Sequence, residues 1–188
     1  MINESLKVIA EDKVAFDQDL KEYRTHHGFH EGPNGRVTTP TIMWVKALDL
    51  LMERIRIQGV DMSQIVALSG AGQQHGSVYW RTGAGEMLKN LRPDKFMHDE
   101  LAHAFSILDS PIWMDSSTTK QCKNLEESLG GPEALAKLTG SKAYERFTGK
   151  LAFNEILSTN GRSPRLFNII ALRDLYKKKS SSLNSITI

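Results

Sequence analysis

Only one cysteine, Cys122, occurs in the 188 residues. A lone thiol excludes an internal disulfide framework and suits a reducing compartment, so the expected location is cytoplasmic. Long hydrophobic runs are also missing: no stretch approaches the roughly 20 apolar residues that a membrane-crossing helix requires. From Met1 to Leu20 the chain has neither a signal-type hydrophobic region nor Arg-rich transit character, because Glu4, Glu11, Asp12, Asp17 and Asp19 interrupt it. Charge of one sign is scarce as well. The 24 basic and 22 acidic residues are dispersed and leave a net charge of +2, which offers no face to nucleic acid or to a membrane surface. The usual phosphate fingerprints are absent: no Gly-Lys-Ser/Thr closes a glycine loop, and no G-x-G-x-x-G stands between a strand and a helix. No internal repeat is visible.

What the chain does have is a hydrophobic content of 40%, enough for a real core in one domain or in a piece of a larger one. Leu6 to Ile9 and Val14 to Phe16 read as two short strands or a loose hairpin, a start in mid-sheet. Lys21 to Thr38, rich in His, Gly, Asn and Pro, reads as a surface loop. Its His26, His27 and His30 lack the Cys or carboxylate partners that would complete a metal-ligand set, so no metal is assigned. Thr39 and Pro40 predict a helix start, with Thr39 as the cap, and Gly59 predicts its end after Gln58. Trp44, Leu48, Leu51 and Ile55, widened by Val45 and Met52, form the apolar stripe of that helix. Gln64 to Leu68 reads as a buried strand, and Ser77 to Trp80 as another. Further on, Thr118 and Gln121 have capping-box spacing before a helix to about Leu129. Gly130 and Gly131 end it, Pro132 opens the next, and Lys142 to Phe147 begins another. The Lys- and Ser-rich segment from Lys177 reads as disordered. Helices alternating with short buried strands define the α/β class.

The stretch with chemical character is Ser69 to Gly76, which follows the predicted strand Gln64 to Leu68. In open α/β sheets, ligands bind at the carboxyl ends of strands. Gly70, Gly72 and Gly76 permit close backbone approach, and Gln73, Gln74 and His75 offer neutral donors and acceptors suited to polyol hydroxyls.

Leu68 to Trp80, reading LSGAGQQHGSVYW, closely resembles the sugar-pocket segment of xylulose kinases in the FGGY carbohydrate kinase family. Pro40 to Asp49 (PTIMWVKALD), Ser110 to Gln121 (SPIWMDSSTTKQ) and Gly140 to Gly149 (GSKAYERFTG) resemble the same family in the same order. The resemblance implies that His75 and Arg146 contact D-xylulose. It also places Trp113 and Asp115 near the pocket, with Gln73 and Gln74 lining or bracing it. An imidazole can donate to or accept from a hydroxyl, and a guanidinium presents several donors to vicinal oxygens.

The resemblance further implies a ribonuclease-H-like fold, of which residues 3–149 would be part of the N-terminal, sugar-binding domain. It implies ATP-dependent phosphorylation of D-xylulose to D-xylulose 5-phosphate, with ATP and Mg²⁺ used by the full-length family. The family's phosphate-contacting opening would precede Asn3, and its catalytic aspartate and adenine-binding domain would follow Gly149. On that expectation the chain has no catalytic residue of its own, binds no cofactor alone and is inactive alone, through a splice end, a gene-model error or a truncated copy. Leu151 to Ile188 does not match the family pattern, so 150–188 is expected to be a divergent tail. The competing expectations are a non-catalytic sugar-binding or interaction fragment, and an unstable product with uncovered apolar faces.

Overall fold

The computed structural model describes residues 1–146. A small antiparallel sheet forms where the sequence predicted a loop: β1 (His30–Glu31) pairs with β2 (Val37–Pro40), and β2 pairs with β3 (Asp109–Pro111). The register sets His30 opposite Thr38 and Thr39 opposite Ser110. The described residues also form six α-helices: α1 (Phe16–Asp19), α2 (Thr41–Ile57), α3 (Ala84–Lys89), α4 (Met97–Glu100), α5 (Thr119–Ser128) and α6 (Pro132–Thr139). Helix and sheet therefore both contribute, as the α/β class requires.

The loop expected over residues 21–38 is ordered by Asp17. Its carboxylate accepts hydrogen bonds from the Thr25 hydroxyl at 2.7 Å, His27 N at 2.6 Å and Gly28 N at 3.0 Å. Those bonds satisfy backbone donors that a polar sequence alone leaves to water. Gly28 has φ +82°, and a Cβ there would lie 2.7 Å from the Phe16 ring, so the turn requires glycine. Val14 to Phe16 is not a strand, since Phe16 opens α1. The first residues instead close on themselves through an isolated Ile2–Val8 bridge.

Helix α2 begins one residue later than predicted. Thr39 and Pro40 remain in β2, and the Thr39 hydroxyl donates to Gly28 O at 2.9 Å rather than capping a helix. The chain enters α2 directly from the sheet. Thr41 N bonds Leu108 O at 2.8 Å, and the buried Thr41 and Ser110 hydroxyls meet at 2.7 Å. At the other end Gly59 takes φ +85°, as predicted for a residue just past a helix. The buried face is not the Trp44–Leu48–Leu51–Ile55 stripe, in which Leu48 is exposed and the others half-buried. Ile42 and Val45 pack against the core of Ala84, Leu101 and Ala104, and Asp49, on the same side of the helix, bonds the first turn of α4. A second core joins Cys122, Leu135 and Ala143 between α5 and α6.

Gln64 to Leu68 is not a buried strand. Met62–Gln64 forms a 3₁₀ turn capped by Asp61, and Val66 and Leu68 stand 98% and 65% exposed. An apolar run becomes a strand only where a second backbone edge meets it, and none does so among the described residues. The capping box at Thr118 also fails: Thr118 precedes α5 but makes no cap bond. Gly130, Gly131 and Gly140 all adopt positive φ, ending the helices as predicted. Residues 142–144 are irregular and 145–146 form a turn, so the helix predicted from Lys142 does not begin there. The segment from Lys177 lies outside the described residues.

The acidic end of α1 is held to α2 by Arg54, whose Nη2 and Nη1 donate to the two Asp19 carboxylate oxygens at 2.7 and 3.2 Å. The Arg54 guanidinium, then the Ala15 amide, holds the Asp19 carboxyl below its ordinary value, and the Thr25 hydroxyl with the Gly28 and His27 amides does the same for Asp17. For carboxyls lowered in this way, the stabilisation is fully present above the unfolded-state pKa of about 3.9 and is lost as pH falls through the lower folded values. Circular dichroism should therefore show the 12–31 region holding its structure down to about pH 4 and loosening below it. Asp19→Asn should lack part of that acid transition, and an identical transition in both proteins would contradict the assignment.

Candidate functional site

The predicted site residues are strung along a hydrogen-bonded path around the connector between β3 and α5. Ser77 N donates to Pro111 O at 3.1 Å, which fastens the end of the Ser69–Gly76 loop to the last residue of β3. From Pro111 the connector runs through the buried Ile112 to Trp113 and Asp115. Thr118, fully buried at its end, donates through its hydroxyl to Glu145 O at 2.9 Å, next to Arg146. His75 and Arg146, distant in sequence, are thus tied to opposite ends of one short segment.

Within the loop, Gln73 and Gln74 are exposed and His75 is half-buried. His75 takes φ 65°, a left-handed conformation uncommon for a residue other than glycine. The Gln73 side-chain oxygen would lie 3.7 Å from a Cβ built on Gly76, so its amide folds back over the turn that carries His75. Such backbone conformations are found preferentially at ligand-contacting turns.

Trp113 is 51% exposed and forms a rim beside the buried Ile112. Asp115 is different. It is 2% exposed, and both carboxylate oxygens are engaged: Oδ2 accepts from Val37 N at 2.8 Å, and Oδ1 accepts from Ser117 N at 3.1 Å and Ser117 Oγ at 2.6 Å. Around it Ile112 N bonds Val37 O and Ser116 N bonds Gly35 O. Gly35 has φ +75°, and a Cβ there would meet Ser116 Oγ at 2.3 Å, so the turn before β2 and the connector fit only with glycine. The carboxylate that the sequence places beside the pocket is therefore used to fix the connector's shape.

Arg146 lies with its guanidinium carbon 4.9 Å above the Tyr144 ring, and Lys142 Nζ approaches the same ring at 5.2 Å. Arg146 Nε is buried and has no hydrogen-bond partner among the described residues. A donor left in that state costs free energy unless a ligand or water accepts from it. The His26, His27 and His30 segment lines a shallow cavity of about 490 Å³ with Phe29 and Glu31. His30 Nε2 is 2.9 Å from Tyr23 O. Asp49 escaped the sequence reading; as a carboxylate within an amphipathic helix it gives no signal until α4 is seen to dock against it.

No protein-family model matches the chain. Individual proteins do. Xylulose kinase of Rattus norvegicus is 50% identical over 168 residues, 89% of this chain and 31% of the rat protein. Xylulose kinase 2 of Arabidopsis thaliana is 46% identical over 151 residues, 79% of this chain and 27% of that protein. D-xylulose kinase A of Aspergillus niger is 41% identical over 181 residues, 96% of this chain and 30% of its own length. The last alignment continues past Gly149, where the sequence resemblance described above ends. Over most of its length the chain is similar to xylulose kinases, and it spans about 30% of the length of the curated relatives it matches. Among the described residues no helix is long and apolar enough to cross a membrane.

Proposed function

We propose that this chain contributes the sugar-holding part of a kinase that transfers a phosphoryl group from ATP to D-xylulose, giving D-xylulose 5-phosphate. The observation that carries the reading is the connection of the Ser69–Gly76 loop and the Arg146 turn to one β3–α5 connector, in a chain 50% identical to a xylulose kinase. In this reading the His75 imidazole and the Arg146 guanidinium donate to sugar hydroxyls. Gln73 and Gln74 border the loop, Trp113 provides an apolar wall, and Asp115 braces the connector on which the pocket is built. Holding the acceptor sugar in a fixed orientation is a large part of what such a transfer needs.

We also propose that residues 3–149 form part of a ribonuclease-H-like FGGY sugar domain. ATP with Mg²⁺ would supply the phosphoryl group and neutralise its charge. Among the described residues no group of three His, Cys, Asp or Glu side chains could hold a metal ion, and no glycine-lysine phosphate loop occurs. The chain by itself is proposed to bind neither nucleotide nor metal and to be inactive.

Titration calorimetry with D-xylulose tests the reading. The full chain should release heat on binding, and His75→Ala should weaken that binding roughly tenfold, the loss of one well-placed polar contact. Equal heats from both proteins, or none from either, would remove the sugar-site reading. A coupled assay should detect no ADP release from the chain with ATP and D-xylulose, and sustained turnover would overturn the half-site proposal.

A further inference from the structure

Thr118 stands where a helix cap belongs, yet its side chain does not cap α5. Its hydroxyl is spent instead on the carbonyl of Glu145, in a position with no solvent exposure. A Thr at this position ordinarily stabilises its helix through the first-turn amides, so the diverted bond gives up a local gain in favour of a long-range tie. The tie is reinforced on either side. Ala143 N donates to Glu126 Oε1 at 3.0 Å, Thr119 Oγ1 lies 3.3 Å from Glu145 Oε1, and Ala143 packs on Cys122 and Leu135. The backbone flanking Tyr144 is thereby fixed, and the Tyr144 ring lies against the Arg146 guanidinium. A guanidinium over an aromatic face loses freedom of direction while its N–H edge stays available. The buried Nε–H of Arg146, unpartnered among the described residues, is the donor left over in this arrangement.

We infer that Thr118 and Tyr144 are positioning residues for Arg146, and that together they hold its Nε–H ready for an oxygen of a polyol substrate. The inference rests on the sugar-site reading above and adds to it the atom that binds and the residues that aim it. Thr118 acts through the Glu145 carbonyl and Tyr144 through its ring; neither touches the sugar.

The test uses the full chain labelled with ¹⁵N, titrated with D-xylulose by calorimetry and followed through its arginine Nε–Hε resonances, with Arg146→Lys identifying the Arg146 signal by its disappearance. In the wild-type chain that signal should shift as the sugar saturates. Thr118→Val should weaken binding about tenfold, the scale of one lost hydrogen bond to a buried carbonyl, whereas Thr118→Ser keeps the hydroxyl and should bind as wild type. If Thr118→Val does not fold, the Tyr144 pair decides the matter: Tyr144→Phe retains the ring and should bind normally, and Tyr144→Leu should bind roughly threefold to fivefold more weakly. A purely structural role for these residues would leave the Arg146 resonance unmoved by sugar. That outcome, or wild-type affinity in both Thr118→Val and Tyr144→Leu, would overturn the inference while leaving His75-dependent binding intact. Absence of any binding by the wild-type chain would instead defeat the sugar-site reading itself, and this inference with it.

Discussion

Asp49→Ala should lower the thermal unfolding midpoint of the chain by roughly 5–10 °C, the equivalent of about 2–3 kcal/mol for a chain of this size. Asp49 is 8% exposed inside α2, and its carboxylate accepts from Met97 N at 3.2 Å, His98 N at 2.9 Å and His98 Nδ1 at 2.6 Å. It therefore acts as an N-terminal cap for α4 delivered from another helix. Those first-turn amides have no partner within α4, and removing the carboxylate leaves them half-buried without that acceptor. Asp49→Asn retains one acceptor oxygen and should lose about half as much. A double-mutant cycle with His98→Ala isolates the side-chain contact from the backbone bonds. An alanine variant melting within a degree of wild type would mean that α4 docks through Leu101 and the surrounding apolar contacts alone.

Asp115→Ala should destabilise the chain by a similar amount, about 2–3 kcal/mol, because three hydrogen bonds to a nearly inaccessible carboxylate are lost together. Val37 N, at the start of β2, would lose its acceptor, so the strand and the connector should separate locally. Faster hydrogen exchange at Val37, Ile112 and Ser117 is the direct readout. Asp115→Asn keeps an acceptor for Val37 N but presents an amide N–H₂ where Ser117 N now donates, and it should fall between the two. If the carboxylate braces the pocket without touching the sugar, the folded Asn variant should bind D-xylulose within about twofold of wild type. A tenfold loss in a normally folded Asn variant would instead place Asp115 against the sugar.

The elements legible in the sequence were those fixed by local chemistry. Helix α2 as a whole, the helix ends at Gly59, Gly130 and Gly140, and the start of α6 at Pro132 follow from propensity, positive φ and the missing proline N–H, which need no distant partner. The family was legible too, because the segments at 40–49, 68–80, 110–121 and 140–149 carry residue order rather than geometry. The features that were misread share one cause: their hydrogen-bond or packing partners lie far away in sequence. Thr39 and Thr118 both look like caps, yet their hydroxyls go to Gly28 and Glu145. The 21–38 segment looks like a loop until Asp17 orders its turns and β3 supplies a second edge to β2. Gln64 to Leu68 has the composition of a buried strand but meets no pairing edge among the described residues, so Val66 is left exposed.

By itself, then, the sequence determined the kinship with xylulose kinases, the mixed helix-and-sheet character and the main helix, and it singled out His75 and Arg146 as the residues proposed to hold a sugar. Only the tertiary structure decided that Asp115 is a brace, that Asp49 caps a neighbouring helix, and that Ser77 and Thr118 fasten the two halves of the candidate site to one connector. The physical reason is that a polar side chain's role is set by whichever partner satisfies it, and long-range partners are chosen by the fold.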